Sequence, residues 1–223
     1  MWKKLNEILQ PIPNVRPPNA PWLPIQRGAT NIATMTFYYG DAKSPVVPIR
    51  DITNRNDAKH DPNLETLTYG LFSVCCKDER KAIVEKGIAT QFFCTSRLNG
   101  VRVLTGYYHP AWYCRMGEDD YAIAAESARF VSPGFELNKQ VSFLEGYPID
   151  RFFRTWKYIR DEKVIQRLTL LINSAPDATT THISEIHQWE AYSLEHYGHM
   201  YFDKLEGFSW ESALQLMRNR GLK

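Results

Sequence analysis

Several features that mark common functional classes are missing from this 223-residue sequence. No apolar run approaches the roughly 18 residues of a membrane-spanning helix, so no membrane partner is expected. The chain has only 4 cysteines and no C-x-x-C pair, which argues against a disulfide framework and indicates reduced thiols in a core. A glycine-rich phosphate loop and a nucleophile elbow are both absent, so the signatures of P-loop enzymes and of many serine hydrolases are excluded.

Charge of one sign is also not in large excess, because the net charge is only +2. A charge this small does not by itself demand a polyanionic partner, so only its distribution along the chain can argue for one. Aromatic side chains are abundant, with 6 Trp, 12 Tyr and 11 Phe, and such rings fill cores or stack on bases. Glu7 interrupts the apolar core that a signal peptide needs, and we expect a soluble, cytoplasmic protein.

Candidate metal ligands are sparse, and none completes a site. His196 and His199 are one helical turn apart, but neither a cysteine nor a second close pair joins them. Asp119, Asp120 and Glu126 offer the carboxylates that a nuclease magnesium ion uses, but acidic residues in such a loop are more often only solvated. We therefore predict neither a metal ion nor a cofactor.

The residues from Thr68 to Val131 give the clearest pattern of secondary structure. They predict a strand, a charged helix that Gly87 stops, and three further strands, two of which are joined by a hairpin at Asn99-Gly100, a pair that accepts positive φ. A turn at His109-Pro110 is predicted to follow. The predicted segments are Thr68–Cys75, Lys77–Lys86, Gln91–Thr95 and Val101–Tyr108.

Composition divides the chain into three parts. Residues 1–27 predict a short helix followed by a proline-rich arm, since closely spaced prolines forbid regular structure. Residues 28–146 hold the strand-rich part. Residues 147–223 predict a helical region, in which Asp161 is the N-cap of one helix and another covers about residues 181–197.

A basic and aromatic segment runs from Arg151 to Arg160, and Lys163 and Arg167 extend it. Basic residues interleaved with Phe and Trp suit phosphate contacts combined with base stacking. On a helix, their spacing of three would spread the charges around the axis rather than align them. A solvated surface with Trp156 buried beneath it explains the same pattern, so both interpretations stay open.

A second group of rings follows the predicted hairpin, where Gly106 indicates a bulge. On a strand Tyr107 and Tyr108 face opposite sides, so only one of them can join a given pocket. Together with Trp112 or Tyr39, that ring could form two walls of a slot for a flat base. Ordinary packing in a core explains the same residues equally directly.

The order of the segments is itself informative. A strand at Tyr69–Ser73 is followed by the helix ending at Lys86, a strand at Gln91–Thr95 and a strand at Val101–Tyr108. This order resembles the PUA-like barrel superfamily, with its EVE, YTH and ASCH branches, over about residues 32–131. The resemblance implies binding of nucleic acid, often of a modified base that is flipped into an aromatic pocket.

The predicted fold class is α+β, a PUA-like small β-barrel with an added C-terminal helical region. The predicted function is binding of nucleic acid, DNA or RNA, as a reader of a modified base without catalysis of its own. The residues predicted to contact the nucleic acid are Arg50, Arg102, Arg154 and Lys157 at phosphates, Tyr39, Tyr108 and Trp112 in the slot, and Asp51 or Asn54 at the base edge.

The alternative is an ASCH-like hydrolase acting on a modified nucleoside or base, with Glu126, Asp51 and Lys157 as acid–base candidates. A structural interaction protein with an aromatic groove is a third hypothesis. Binding that weakens steeply with salt would favour nucleic acid, and salt-insensitive binding of a nucleoside would favour the enzyme. The sequence does not indicate an oligomeric state.

Overall fold

The computed structural model of the protein describes residues 20–29, 31–38, 48, 61–71, 76–97, 99–149 and 155–197. In chain order these residues form β1 (Leu23–Pro24), β2 (Ala33–Phe37), β3 (Thr68–Tyr69), α1 (Lys77–Lys86), β4 (Thr90–Ser96), β5 (Arg102–Gly117), β6 (Asp120–Glu136), a 3-10 turn (Leu137–Gln140), β7 (Trp156–Ile159), α2 (Glu162–Asn173) and α3 (Thr179–Tyr197). The predicted N-terminal helix lies outside the described residues, as does most of the proline-rich arm.

The strands form one sheet in the order β3-β6-β5-β4-β2-β7, with β1 attached to β5. Strands β2 and β4 run parallel, and the crossover connection that such a pair needs contains β3 and α1. The other pairs are antiparallel. Across the described ranges no pairing joins β3 to β7, so the sheet is open rather than closed into the predicted barrel. Closure would need these two outermost strands to meet, and they are only 2 and 4 residues long. The broader prediction of a mixed α and β fold is confirmed.

Local predictions with a strong stereochemical basis are confirmed. The first helix covers Lys77–Lys86, and Gly87 ends it at a φ of 62°, a left-handed conformation that glycine adopts without strain. Gly100 has a φ of 77° in the hairpin between β4 and β5. The register of β5 shifts between Leu104 and Gly106, which is the predicted bulge.

The turn predicted at His109-Pro110 is absent, because β5 continues through both residues to Gly117. Proline has no N–H to donate to a neighbouring strand and is therefore tolerated where the ladder is already irregular. The pairing of β5 with β6 shifts on both sides of Pro110, so the strand absorbs the residue as a bulge. The two strands form a ribbon much longer than the sequence predicted, with 16 and 17 residues.

The sheet carries a core on each face. Phe92 packs in one core and Phe93 in the other, since successive side chains of a strand point to opposite faces. Helix α1 covers the Phe93 face through Ile83, and α2 covers the Phe92 face through Leu168 and Ile172. The sheet is thus sandwiched between helices, and the N-terminal turn of α1 meets the Phe93 face.

The C-terminal region contributes a strand as well as helices. Strand β7 lies within the basic and aromatic segment and pairs with β2, so this part of the segment is extended rather than helical. Helix α2 follows it with Asp161 as N-cap, whose carboxylate accepts from the backbone N–H of Lys163 at 2.9 Å, as predicted. Helix α3 matches the helix predicted for residues 181–197. No helix in the described ranges is both long and apolar enough to cross a membrane.

Candidate functional site

Glu79 is a fully buried acidic residue in the first turn of α1. A carboxyl group is costly to bury unless charged or polar partners satisfy it. Its position near the N-terminus of a helix helps, because the helix dipole favours negative charge there. The remaining compensation comes from side chains of three strands on the Phe93 face.

Three side chains donate hydrogen bonds to Glu79. The Thr36 hydroxyl donates to Oε1 at 2.5 Å, and the Tyr69 hydroxyl donates to Oε2 at 3.1 Å. The side-chain amide of Gln91 donates to Oε1 at 3.4 Å and to the Thr36 hydroxyl at 2.9 Å. These donors come from β2, β3 and β4, so the carboxyl group joins the helix to three strands of the sheet.

Burial raises the pKa of Glu79 to about 7, from an ordinary value of 4.5. The hydrogen bonds from Thr36 and Tyr69 and the charge of Arg80 lower the pKa, but they do not offset the loss of solvent. The carboxyl group is therefore present in both protonation states near neutral pH. This is the property that a general acid or base requires.

Two polar atoms beside Glu79 have no hydrogen-bond partner among the described residues. They are the hydroxyl of Thr34 and the amide oxygen of Gln91, on residues that lie opposite each other in the β2–β4 register. The Thr34 hydroxyl also favours the charged form of Glu79, although it makes no hydrogen bond of normal geometry. Both side chains are fully buried. Unpartnered groups of this kind are uncommon in folded proteins, and a catalytic or binding role is one of the reasons for which they are retained.

Aromatic side chains of β7 flank this polar cluster. In the β2–β7 register Trp156 lies opposite Thr36 and Tyr158 opposite Thr34, so both rings stand on the face that carries Glu79. The two rings are half-buried and meet edge to face with centroids 4.8 Å apart. Desolvation raises the pKa of Tyr158, and the negative charge of Glu79 raises it further. The rings therefore form a partly exposed rim around a buried acidic centre.

A cation completes the rim. The guanidinium carbon of Arg160 lies 5.2 Å from the centroid of the Tyr158 ring, within the range of a cation–π contact. Arg160 and the nearby Lys163 are both exposed. The arrangement has two aromatic rings, exposed positive charge and a carboxyl group that titrates near neutrality. These are groups that bind planar, electron-rich or anionic ligands.

Helix α1 presents a second buried charge, Arg80, directly after Glu79. The Arg80 guanidinium pairs with Asp120 at 2.5 Å, and its Nε donates to the carbonyl oxygen of Tyr121 at 2.5 Å. Gly70 packs against this side chain with a φ of +83°, and a Cβ there would lie 2.1 Å from Cδ of Arg80. Arg80 thus fixes the chain around Gly70 to β6.

Of the residues predicted to contact nucleic acid, Tyr39, Arg50, Asp51, Asn54 and Arg154 lie outside the described part of the chain. The other members of the predicted set are described, and they do not form one slot.

Tyr108 and Trp112 differ in their surroundings. Tyr108 is fully buried, its ring lies 4.9 Å from that of Phe93, and its hydroxyl donates to the carbonyl oxygen of Asn63 at 2.5 Å. In this structure it is a core residue with no ring face left for a base. Trp112 is half-buried on β5, opposite Pro24 of β1, and packs against the core that contains Phe93.

Arg102 and Lys157 lie on the opposite, Phe92 face of the sheet. The Arg102 guanidinium carbon is 3.8 Å from the centroid of the Phe37 ring, and the Lys157 ammonium donates to the Ile149 carbonyl oxygen at 3.0 Å. Burial raises the pKa of the Cys94 thiol to about 12, and the charges of Arg102 and Lys157 lower it only in part. The two cations are therefore near one thiol and on the other side of the sheet from Trp156.

Of the three acid–base candidates of the predicted hydrolase, Glu126 and Lys157 are described and Asp51 is not. Glu126 is exposed and forms an ion pair with Arg27 at 3.3 Å. Asp120, considered for a magnesium ion, is instead the partner of Arg80. In the described residues no group of three or more His, Cys, Asp or Glu side chains is arranged to hold a metal ion. The acidic residue with the most unusual environment is Glu79, which the sequence did not single out.

Comparison with known proteins adds no relative, because no family model, curated protein or solved structure matches the chain.

Proposed function

We propose that this protein binds nucleic acid and holds a base against the aromatic face of β7, beside the buried Glu79. The observation that carries the proposal is the extended conformation of Trp156–Ile159. Because side chains alternate along a strand, Trp156 and Tyr158 share one face, and Arg160 continues that line. On a helix the same residues would have spread around the axis.

The energetics of this face suit a single-stranded or flipped base. Stacking of a base on an aromatic ring contributes about 1–3 kcal/mol, and exposed cations add salt-dependent contacts with phosphate. Trp156 and Tyr158 supply the rings, while Arg160 and Lys163 supply the charge. The sequence resemblance to PUA-like proteins, many of which take up a modified base, supports the same class of ligand. We propose a PUA-like ancestry for residues 32–131 on that basis.

The test is a titration of the protein with fluorescent single-stranded DNA and RNA at several salt concentrations. We expect Arg160→Glu to weaken binding to every sequence and to reduce the slope of affinity against salt. Arg115→Glu is the matched control, because Arg115 is an equally exposed arginine on β5, and its effect should be small. Equal effects of the two changes, or no binding by the parent protein, would overturn the proposal.

A second candidate function is hydrolysis of a modified nucleoside or base, and the pKa of Glu79 favours it. A carboxyl group that titrates near pH 7 could take a proton from an attacking water at physiological pH. Glu79 would then replace Glu126 as the acid–base residue. Product analysis after incubation with modified nucleosides, comparing the parent protein with Glu79→Gln, tests this function. Turnover by the parent that the variant lacks would support the enzyme.

A further inference from the structure

The most unusual feature of the described chain is a cluster of buried polar atoms that the protein itself leaves without partners. The Thr34 hydroxyl and the Gln91 amide oxygen lie on paired residues of β2 and β4, and both side chains are fully buried. The Gln91 amide oxygen loses its hydrogen bonds to water on folding and gains none among the described residues, which destabilises the protein. The Thr34 hydroxyl makes no hydrogen bond of normal geometry, although it is close enough to Glu79 to lower the pKa of that carboxyl group. A bound ligand would satisfy both.

The hydrogen bonds of Gln91 determine what such a ligand must offer. The amide nitrogen already donates to Thr36 at 2.9 Å and to Glu79 at 3.4 Å. These two bonds orient the amide group, so its oxygen faces away from them as an unused acceptor. The Thr34 hydroxyl can donate or accept. A complementary ligand therefore presents an N–H donor to Gln91 and a neighbouring acceptor to Thr34.

We propose that Thr34, Glu79 and Gln91 bind the hydrogen-bonding edge of a planar nitrogen heterocycle, such as a nucleobase, whose ring lies against Trp156 and Tyr158. The inference rests on the proposed function and deepens it by naming the groups that read the base. Adjacent donor and acceptor atoms are what the edge of a nucleobase provides. Glu79 holds the amide of Gln91 in its orientation through Thr36 and its own Oε1.

A ligand would reach the polar cluster past the half-buried rings of β7. Trp156 and Tyr158 lie opposite Thr36 and Thr34 in the β2–β7 register, and both rings are partly exposed to solvent. Moving these rings aside would open the cluster to an entering base, which would then lie against them. The exposed Arg160 stands beside this opening, where the backbone phosphate of a bound strand would pass.

The variant Thr34→Val tests the inference, because valine keeps the shape of threonine and removes only the unpartnered hydroxyl. If that hydroxyl serves a ligand, the change should leave the protein folded and weaken binding about three- to tenfold. Thr95→Val is the matched control. Thr95 is also a fully buried threonine with an unpartnered hydroxyl. It lies on β4 four residues after Gln91, and no hydrogen bond to Glu79 is found for it among the described residues.

Binding is measured with two sets of probes. The first is a set of short single-stranded oligonucleotides that differ in the central base. The second is the four free nucleosides with N3-methyluridine and N1-methylguanosine, which lack the N–H of the base edge. We expect a methylated nucleoside to bind more weakly than its parent, and Thr34→Val to remove most of that difference. Thr95→Val should behave as the parent protein.

The outcomes separate this inference from the proposed function. If oligonucleotides bind but Thr34→Val and Thr95→Val bind them as the parent protein does, the inference fails and the proposed function stands. If nucleosides bind with the expected loss in Thr34→Val but oligonucleotides do not bind, the inference holds and the proposed function fails. If neither set of probes binds, both fail.

Discussion

Glu79 and Arg80 are consecutive residues of one helix, both are fully buried, and their surroundings differ in kind. Arg80 has an ion pair with Asp120 and a bond to the Tyr121 carbonyl oxygen, so its charge is balanced by an opposite charge. Glu79 has only neutral donors and lies beside two atoms without partners. The first arrangement is what a structural ion pair requires, and the second is what a binding or catalytic site leaves open.

The comparison shows how a buried charge can be assigned a role. Burial alone does not distinguish the two residues, and neither does sequence, because both belong to a highly charged helix. What distinguishes the two residues is whether the buried polar atoms around each of them all have hydrogen-bond partners. A buried charge whose surroundings are fully hydrogen-bonded fixes the fold, whereas one beside unpartnered polar atoms lies in a region that costs stability, and a bound ligand would offset that cost.

The largest expected effect is on the free energy of unfolding, and it concerns the ion pair between Arg80 and Asp120. Asp120→Ala should lower the free energy of unfolding by about 3–5 kcal/mol, because it leaves the Arg80 guanidinium buried without its counter-charge. Chemical denaturation measures the loss. Asp119→Ala is the control, since Asp119 pairs with Lys81 on the surface and should contribute little to stability. Similar losses in the two variants would show that Arg80 is not the structural charge described here.

The next effect is the pH dependence that Glu79 imposes on stability. Its pKa is about 7 in the folded protein and about 4.5 when unfolded, so protonation favours the folded state. The stabilisation is fully present below pH 4.5 and is lost as pH rises through 7. At about 1.4 kcal/mol for each pKa unit, the loss is about 3 kcal/mol.

Thermal melts between pH 4 and pH 8 measure this dependence. Glu79→Gln should remove the Glu79 contribution, so that the variant gains relative stability as pH rises. An unchanged difference between variant and parent across this range would show that folding does not raise the pKa of Glu79.

The smallest of these effects concerns Tyr69, which stands between the two charges. Its hydroxyl donates to Glu79 at 3.1 Å, while its ring centroid lies 6.0 Å from the Arg80 guanidinium carbon. Tyr69→Phe removes a donor to the carboxylate and should raise the pKa of Glu79 further. We expect a loss of about 1–2 kcal/mol at pH 8 and a smaller loss at pH 4.

The control for this variant is Tyr113→Phe, because Tyr113 is a half-buried tyrosine of β5 that makes no contact with Glu79. Equal losses at both pH values in Tyr69→Phe would indicate that the hydroxyl acts through packing rather than through the carboxylate.

Sequence reasoning predicted the elements whose local chemistry is strong. The helix that Gly87 ends, the turn at Gly100 and the N-cap at Asp161 all depend on residues close in sequence. The course of β5 past Pro110 was missed because pairing with β6 overrides the local preference of proline for a turn. Strand β7 was missed because a basic and aromatic segment has no clear period, and its pairing with β2 decides its conformation.

The candidate site was harder to predict because it depends on strand register. Glu79 is one of several charged residues in α1, and only the packing of the helix on the sheet distinguishes it from exposed neighbours such as Asp78 and Glu85. A signal was nevertheless present. Thr34 and Thr36 occupy alternate positions of an otherwise apolar strand, which places both side chains on one face of the sheet.

The most direct test of the central claim is an NMR titration of the protein with a free nucleoside, following side-chain resonances on both sides of α1. If the Glu79 side is the binding site, the side-chain amide signals of Gln91 and the indole N–H of Trp156 will shift together and saturably, while the Arg80 guanidinium signal stays in place. Shifts confined to Arg80 and its surroundings, or no shift at Gln91 at saturating ligand, would contradict the account.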